Sequence, residues 1–297
     1  GSEMCIRDRY SILCRKENMR EIGLKEMQQI ELDILLAFDA FCKKYALRYY
    51  IDGGTLLGAM CYEGFIPWDD DIDVKMPRPD YERFILLAKE LPAHIHLELP
   101  SKDNCEYLFA KLTDARTLLI ENPGADEKRS GIYVDIFPMD GYPDDEQKRA
   151  AHLHNLSKLN TLFHTSLMRF STMKESDNRS TRLKGEVYDK IYTPYKLFQK
   201  LEKLAKTYPY EECSCVGLLI EGNPQKECFP KSWLEPAVHL EFEGHRFPAP
   251  CGYSAHLRNF YGNHITNKEY HHNLPVILPD HKHKVYWIDG EDEPCSK

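Results

Sequence analysis

Residues 64–76 read GFIPWDDDIDVKM, with Asp69, Asp70, Asp71 and Asp73 crowded into five positions behind Trp68. Ile72, Val74 and Met76 alternate with Asp71, Asp73 and Lys75, the period-two pattern of a half-buried strand whose successive side chains face opposite ways. This stretch therefore demands a sheet, with an apolar face turned to a core and Asp71 and Asp73 together on the other face. Like charges at this spacing repel, and any that are buried must keep a proton or meet a cation. Two carboxylates at i and i+2 on a strand are hard oxygen ligands suited to Mg²⁺ or Mn²⁺ over phosphate groups. The plainer alternative, a solvated acidic loop, is opposed by the apolar flanks.

The segments around it supply the rest of the sheet. From Leu24, apolar residues recur at Met27, Ile30, Ile34, Phe38, Phe41 and Tyr45, which predicts an amphipathic helix of about six turns packed into the core. LRYYID (47–52) predicts a strand ending at Gly53-Gly54, and TLLGAMCY (55–62) a short helix opened by Thr55. Pro77 and Pro79 close the acidic strand, and 80–91 predicts a helix with Asp80 at its N-cap. Strands are expected at 94–99, 106–114, 117–121 and 131–140, divided by polar or Gly/Pro breaks.

Residues 144–207 change character, with helix-spaced Leu, Phe and Tyr among Lys, Asn, Ser and Thr, and TMKESDNRSTRLKG (172–185) reads as a mobile loop. A hairpin turning at Glu243-Gly244 within 239–250 and a helix over 253–262 follow. The fold class is α+β: a mixed β-sheet core flanked by helices, a mostly helical insertion, and a C-terminal hairpin–helix segment. We divide the chain into a start at 1–17, where Gly1-Ser2 resembles a tag scar, a core at 18–143, a helical insertion or subdomain at 144–210, and a segment at 211–297 that completes the fold.

Composition narrows the partners. The net charge is −8, and no run of Lys and Arg makes an electrostatic footprint for nucleic acid. No apolar segment is long enough to span a bilayer, and there is no signal core, so the expectation is a cytoplasmic protein, with a peripheral position at the inner membrane face as a variant. The ten cysteines contain no CxxC pair. Cys213, Cys215, Cys228 and Cys251 are zinc-compatible in number, but their CxC spacing is unusual for such a site, and reduced thiols are the default. His271-His272, His281 and His283 read as solvent-exposed.

Three further features carry chemistry. Gly53-Gly54-Thr55, between a strand and a helix, offers free backbone N–H groups and a helix dipole to an anion, and the glycines permit close approach. Asp135 is a lone charge inside GIYVDIFPM; an unpaired buried carboxylate is costly, so it either shares a cation with Asp71 and Asp73 or is satisfied by a turn or an arginine. Lys111, in FAKLTD, is either a fixed positive charge for a phosphate or a strand-edge lysine.

A strand, a Gly-Gly turn, a helix and a strand bearing D-h-D resemble the core of the nucleotidyltransferase fold. The wording YYIDGGTLLGAMCYEGFIPWDDDIDVKMPRPDYERF (49–84), followed by FAKLTDARTLLIE and GIYVDIFPMDG, resembles the LicD family of phosphocholine transferases, relatives of the fukutin-type enzymes. The likeness runs over about residues 25–142 and more loosely over WLEPAVHLEFEGHRFPAP and LRNFYG near the C-terminus.

That resemblance implies metal-dependent transfer of phosphocholine, or a similar phospho-alcohol, from a CDP-activated donor such as CDP-choline. The acceptor would be a hydroxyl of a cell-surface glycan or its lipid-linked precursor, as in teichoic acid or lipopolysaccharide modification. It also implies that Asp71, Asp73 and Asp135 are catalytic and bind Mg²⁺ or Mn²⁺, and that Gly53, Gly54, Thr55, Trp68, Asp70 and Lys111 contact substrate. For a choline head group, Trp68, Tyr107, Tyr133 and Trp233 are the aromatic candidates. Two alternatives stand beside it. One is the same fold moving ribitol phosphate, glycerol phosphate or a nucleotidyl group. The other is a non-catalytic nucleotide- or glycan-binding homologue, suggested by Cys61, Tyr62 and Glu63 in MCYEG, where the family usually has a basic stretch.

Overall fold

The periodicity that begins at Leu24 becomes helix α1, Leu24–Tyr45, and its stripe of Met27, Ile30, Ile34, Phe38 and Phe41 is buried. The structure is a computed structural model that describes residues 19–121, 128–174, 177–221, 224–266 and 283–288. The expected start at 1–17, the 267–276 tail, and His271, His272 and His281 lie outside the described residues.

After β1 (Arg20–Glu21) and α1, the chain forms β2 (Tyr50–Ile51), α2 (Gly53–Tyr62), β3 (Asp73–Pro77) and α3 (Arg78–Leu87). Three strands follow: β4 (Ile95–Glu98), β5 (Ala110–Glu121) and β6 (Lys128–Tyr142). Among the described residues these join a nine-stranded mixed sheet whose central order is β2, β3, β6, β5. Only β3 and β6 run parallel within that centre. Ile72, Val74, Met76, Val134, Ile136, Ala110 and Leu112 are all fully buried and share one core with the α1 stripe, as the alternation requires.

The expected strands at 106–114 and 117–121 are one strand, β5, with an irregular register between Asp114 and Leu119. There the Asp114 carboxylate accepts from the backbone N–H of Arg116 (2.9 Å) and its carbonyl from Thr117 Oγ1 (2.8 Å), a local turn inside a continuing ladder. Asp80 is not an N-cap. Pro77 holds that position, and Asp80 sits within the first turn of α3, where it pairs with Arg48 Nε (2.7 Å).

Helices α4 (Glu146–Lys174), α5 (Arg179–Ile191) and α6 (Pro194–Ala205) follow. The stretch expected as a loop at 172–185 is mostly helix: α4 runs to Lys174, and Asn178 caps α5 by accepting from the N–H groups of Ser180 and Thr181. Its polar composition belongs to a largely solvent-facing helix, which short-range reading confuses with a loop. A second core of Tyr142, Leu156, Phe163, Leu197, Leu201 and Leu219 lies under these helices.

The C-terminal third returns to the sheet. β7 (Cys215–Gly217) pairs with β6 and with β8 (Phe229–Pro230), the latter following helix α7 (Pro224–Glu227). β9 (Val238–Phe242) and β10 (His245–Ala249) form the expected hairpin. Glu243 and Gly244 both have positive φ (50° and 74°), as a two-residue primed turn needs. Helix α8 (Tyr253–Tyr261) and strand β11 (Lys284–Trp287), paired with β5 and β1, complete the described chain.

Candidate active site

Parallel pairing of β3 with β6 sets Asp73 directly opposite Asp135, and antiparallel pairing of β5 with β6 sets Lys111 opposite Asp135. Register partners share a face, and neighbouring strands lie about 4.8 Å apart. Asp73, Asp135 and Lys111 thus form a row across three strands on the face opposite the α1 core. Lys111 Nζ is 2.9 Å from Asp135 Oδ1, and both residues are buried. That oxygen receives no well-directed hydrogen bond. The Lys111 ammonium also lies over the rings of Tyr133 (3.4 Å) and Tyr107 (4.0 Å), so these two aromatic faces already hold a cation of the protein itself.

The aspartates before β3 arrive at the same corner. Carboxylate oxygens of Asp69, Asp70 and Asp71 lie within 4.8 Å of one another. Gln28 Nε2 on α1 donates to the Asp69 carbonyl (2.8 Å) and holds this turn against the helix. Trp68 is half-buried in the same turn.

The glycines explain themselves in this geometry. Gly53, at the first position of α2, has φ +56°, and a Cβ there would lie 2.5 Å from Asp73 Oδ2; one on Gly54 would lie 2.6 Å from Asp69 Oδ2. The double glycine therefore lets two carboxylates close onto the N-terminus of α2, where the dipole favours negative charge. Thr55 anchors the same contact from inside the helix, its Oγ1 accepting from the Asp73 N–H (2.9 Å), and the Asp52 N–H donates to the Asp73 carbonyl (3.0 Å). The Cys61-Tyr62-Glu63 departure sits at the other end of α2, where Cys61 is buried and Glu63 ends the helix.

The crowded charge moves the protonation equilibria. Burial, then repulsion from Asp71 and Asp70, pushes the Asp69 carboxyl up to about 7. Burial pushes Asp135 up to about 7 as well, with Lys111 opposing the shift. Asp73 is held well above the usual carboxylate range by burial and by Asp71 and Asp135.

Two contributors escaped the sequence reading. Glu31 on α1 has no exposed surface, neither of its oxygens has a hydrogen-bond partner among the described residues, and burial followed by repulsion from Asp71, Asp70, Asp69 and Asp135 pushes its carboxyl well up. The signal was available: Glu31 stands four residues after Met27 and four before Leu35, a charge on the apolar stripe. His283, expected to be exposed, is mostly buried and places Nδ1 3.0 Å from Asp70 Oδ2. Nothing local points to that contact, because 213 positions separate the two residues.

The donor set fits a divalent cation: oxygen ligands only, several of them close together, a buried Asp135 oxygen whose one close cation is Lys111 among the described residues, and more negative charge than the nearby cations offset. Asp71, Asp73 and Asp135, with Asp69 and Asp70 beside them, are the residues able to hold it. The zinc alternative has no such support. Among the described residues only Asp69, Asp70 and Asp71 form a ligand cluster, and Cys251 Sγ faces the carbonyls of Ser232 and Trp233. Trp233, one of the aromatic candidates, is stacked parallel to Phe229 and packs in a small core with Tyr50.

Beside Asp73 the polar face continues into a buried ion network. Lys75 pairs with Asp52 and with Glu227 (2.5 Å), and Asp52 Oδ1 lies 2.7 Å from His256 Nε2 on α8. Burial alone would raise the Asp52 carboxyl, but Lys75 and His256 outweigh it and hold Asp52 well below the usual range.

A sequence model of the LicD/FKTN/FKRP nucleotidyltransferase domain matches residues 46–176. The chain is 32% identical over 256 residues, 83% of its own length and 93% of the relative's, to the lipopolysaccharide cholinephosphotransferase LicD of Haemophilus influenzae. It is 33% identical over 101 residues, about a third of each chain, to an uncharacterised protein of Rickettsia prowazekii. Over 124 residues, 39% of this chain and 10% of the other, it is 29% identical to mannosyltransferase regulator 4 of Saccharomyces cerevisiae. The domain match contains every carboxylate of the β3–β6 row and the turn before it, and the likeness to the Haemophilus protein spans nearly the whole of that relative, so the chain belongs to the LicD family.

Proposed function

We propose that this protein transfers phosphocholine from a CDP-activated donor to a hydroxyl of a cell-surface glycan or its precursor, using Mg²⁺ or Mn²⁺ held by Asp71, Asp73 and Asp135. The observation that carries the reading is the register of β3 on β6, which brings two carboxylates from sequence-distant strands to one spot beside the aspartate turn. The near full-length likeness to a protein named for phosphocholine transfer supports the chemistry.

In this reading the acceptor oxygen bonds to the phosphorus that carries choline, the phosphoanhydride bond to CMP breaks, and CMP leaves with the bonding electrons. Bound divalent cation supplies charge neutralisation of the diphosphate and of the departing CMP. The Asp135 carboxylate takes the acceptor's proton. Lys111 fixes the orientation of Asp135 and moderates its basicity. Gly53 and Gly54 keep space for the carboxylates at the head of α2, and the N–H groups there face the anionic part of the donor. Trp68 and Asp70 line the approach from the turn. A cytoplasmic site of action agrees with a CDP-linked donor, and no helix among the described residues is long and apolar enough to cross a membrane.

Incubation of the protein with CDP-choline, Mn²⁺ and lipooligosaccharide acceptor, followed by mass analysis, tests the reading. Expected are CMP and an acceptor heavier by one phosphocholine, with Asp73→Asn and Asp135→Asn each lowering turnover by about 10²–10⁴-fold while donor binding survives. Release of free phosphocholine with an acceptor heavier by one CMP, or equal turnover of CDP-glycerol or CDP-ribitol, overturns it.

A further inference from the structure

Directly beside Asp73, a cavity of about 240 Å³ opens between β3, β6, α7 and α8. Pockets that enclose a whole drug-sized ligand run to about 300–1,000 Å³, so this one holds one end of a nucleotide-linked donor rather than all of it. Its walls combine three aromatic side chains, Phe137, Phe260 and Tyr261, with the carboxylates of Asp73 and Glu221. The other charged groups on its wall are the mutually paired Lys75, Asp52 and Glu227 and the His256 that meets Asp52. Together these are four carboxylates against one ammonium and one imidazole. Phe260 and Tyr261 meet edge to face at 4.8 Å, so they present differently oriented surfaces to the space.

We infer that this cavity is the receptor for the donor's quaternary ammonium group, with Phe137, Phe260 and Tyr261 supplying aromatic faces and Glu221 the compensating charge. The inference rests on the proposed phosphocholine transfer and gives its head group a place. A permanent cation that cannot donate a hydrogen bond is held by aromatic faces and nearby negative charge, whereas a polyol such as glycerol or ribitol needs directed polar partners. Three of the four aromatic candidates legible in the sequence are otherwise engaged: Tyr107 and Tyr133 face Lys111, and Trp233 stacks on Phe229, while Trp68 stands in the aspartate turn and is not on the wall of this cavity. Asp73 is at once a wall of this cavity and a member of the carboxylate row, so an ammonium seated here adjoins the carboxylates proposed to act on the phosphate, as a head group two carbons away from that phosphate requires.

Calorimetric titration of the full chain with CDP-choline, CDP-glycerol and CMP in the presence of Mn²⁺ tests the assignment. Wild type is expected to favour CDP-choline over CDP-glycerol by about tenfold or more. Phe260→Leu and Tyr261→Ala are each expected to erase most of that preference with CMP affinity unchanged, while Tyr261→Phe, which keeps the ring, retains it. Glu221→Gln lowers affinity for CDP-choline alone. Tight CDP-choline binding with the same selectivity in all variants overturns the head-group site only, as does a parallel loss of CMP affinity, which would make the cavity a nucleoside pocket. Wild type that binds CMP but shows no preference for CDP-choline overturns both this site and the phosphocholine reading.

Discussion

A carboxylate row with few cations is a protonation problem before it is a catalytic device. Asp69 and Asp135 have pKa values near 7 in the folded protein against about 3.9 in an unfolded chain. Between those limits the folded state binds more protons than the unfolded state, so stability falls as pH rises through the window. The metal-free protein is therefore expected to melt at a lower temperature at pH 8 than at pH 5 in chelator, with Mn²⁺ reversing most of the difference at pH 8. An Asp69→Asn/Asp135→Asn double variant should flatten that slope; a slope unchanged by it would show that the aspartates are not the source. The alternation of Asp73 with Val74 and Met76 was legible because it is local information, whereas Asp71 precedes β3 and lies with Asp69 and Asp70 in the turn. Asp135 was legible only as a buried charge, since what neutralises it is chosen by strands far away in the chain. Glu31 was legible in principle, as a charge on an apolar stripe.

At the level of elements, the β2–α2–β3 unit works because its turn has no side chains. Gly53→Ala combines a left-handed φ with a Cβ 2.5 Å from Asp73 Oδ2, so either the helix start or the carboxylate must move. Strain of this kind costs about 1–3 kcal/mol, and on the proposed metal role of Asp73 its displacement should weaken Mn²⁺ binding by about tenfold or more. Titration of Mn²⁺ by electron paramagnetic resonance reads the second effect and thermal denaturation the first; wild-type affinity in Gly53→Ala would mean that Asp73 does not need this approach. The sequence reading took these glycines as room for a phosphate, whereas their nearest demand comes from the protein's own aspartates. The 172–185 stretch went the other way: polar residues on a helix facing solvent look like loop composition, and the Asn178 cap of α5 emerges only in the structure.

For the whole molecule, the joint between the core sheet and the helices after it is a buried charge pair. Arg78 at the start of α3 donates from Nε and Nη2 to the two oxygens of Asp140 on β6 (2.7 and 2.6 Å), and both side chains are nearly inaccessible. Asp140→Ala leaves the guanidinium buried without its main partner, which costs about 3–5 kcal/mol; urea denaturation is expected to record that loss, and a change below about 1 kcal/mol would place the pair in a solvated setting. The alternation of residues 73–76, the stripe of α1, the hairpin at Glu243-Gly244 and the family wording were all set by the chain's own order, because strand, helix and turn patterns repeat over two to four residues. Which strand lies next to which was settled only by tertiary structure. The Asp73–Asp135 register, the capture of Tyr107 and Tyr133 by Lys111, the return of β11 to β5 with His283 beside Asp70, and the aromatic cavity at α8 all depend on contacts between distant segments. Such contacts are fixed by packing of the entire sheet, and no short window of sequence carries them.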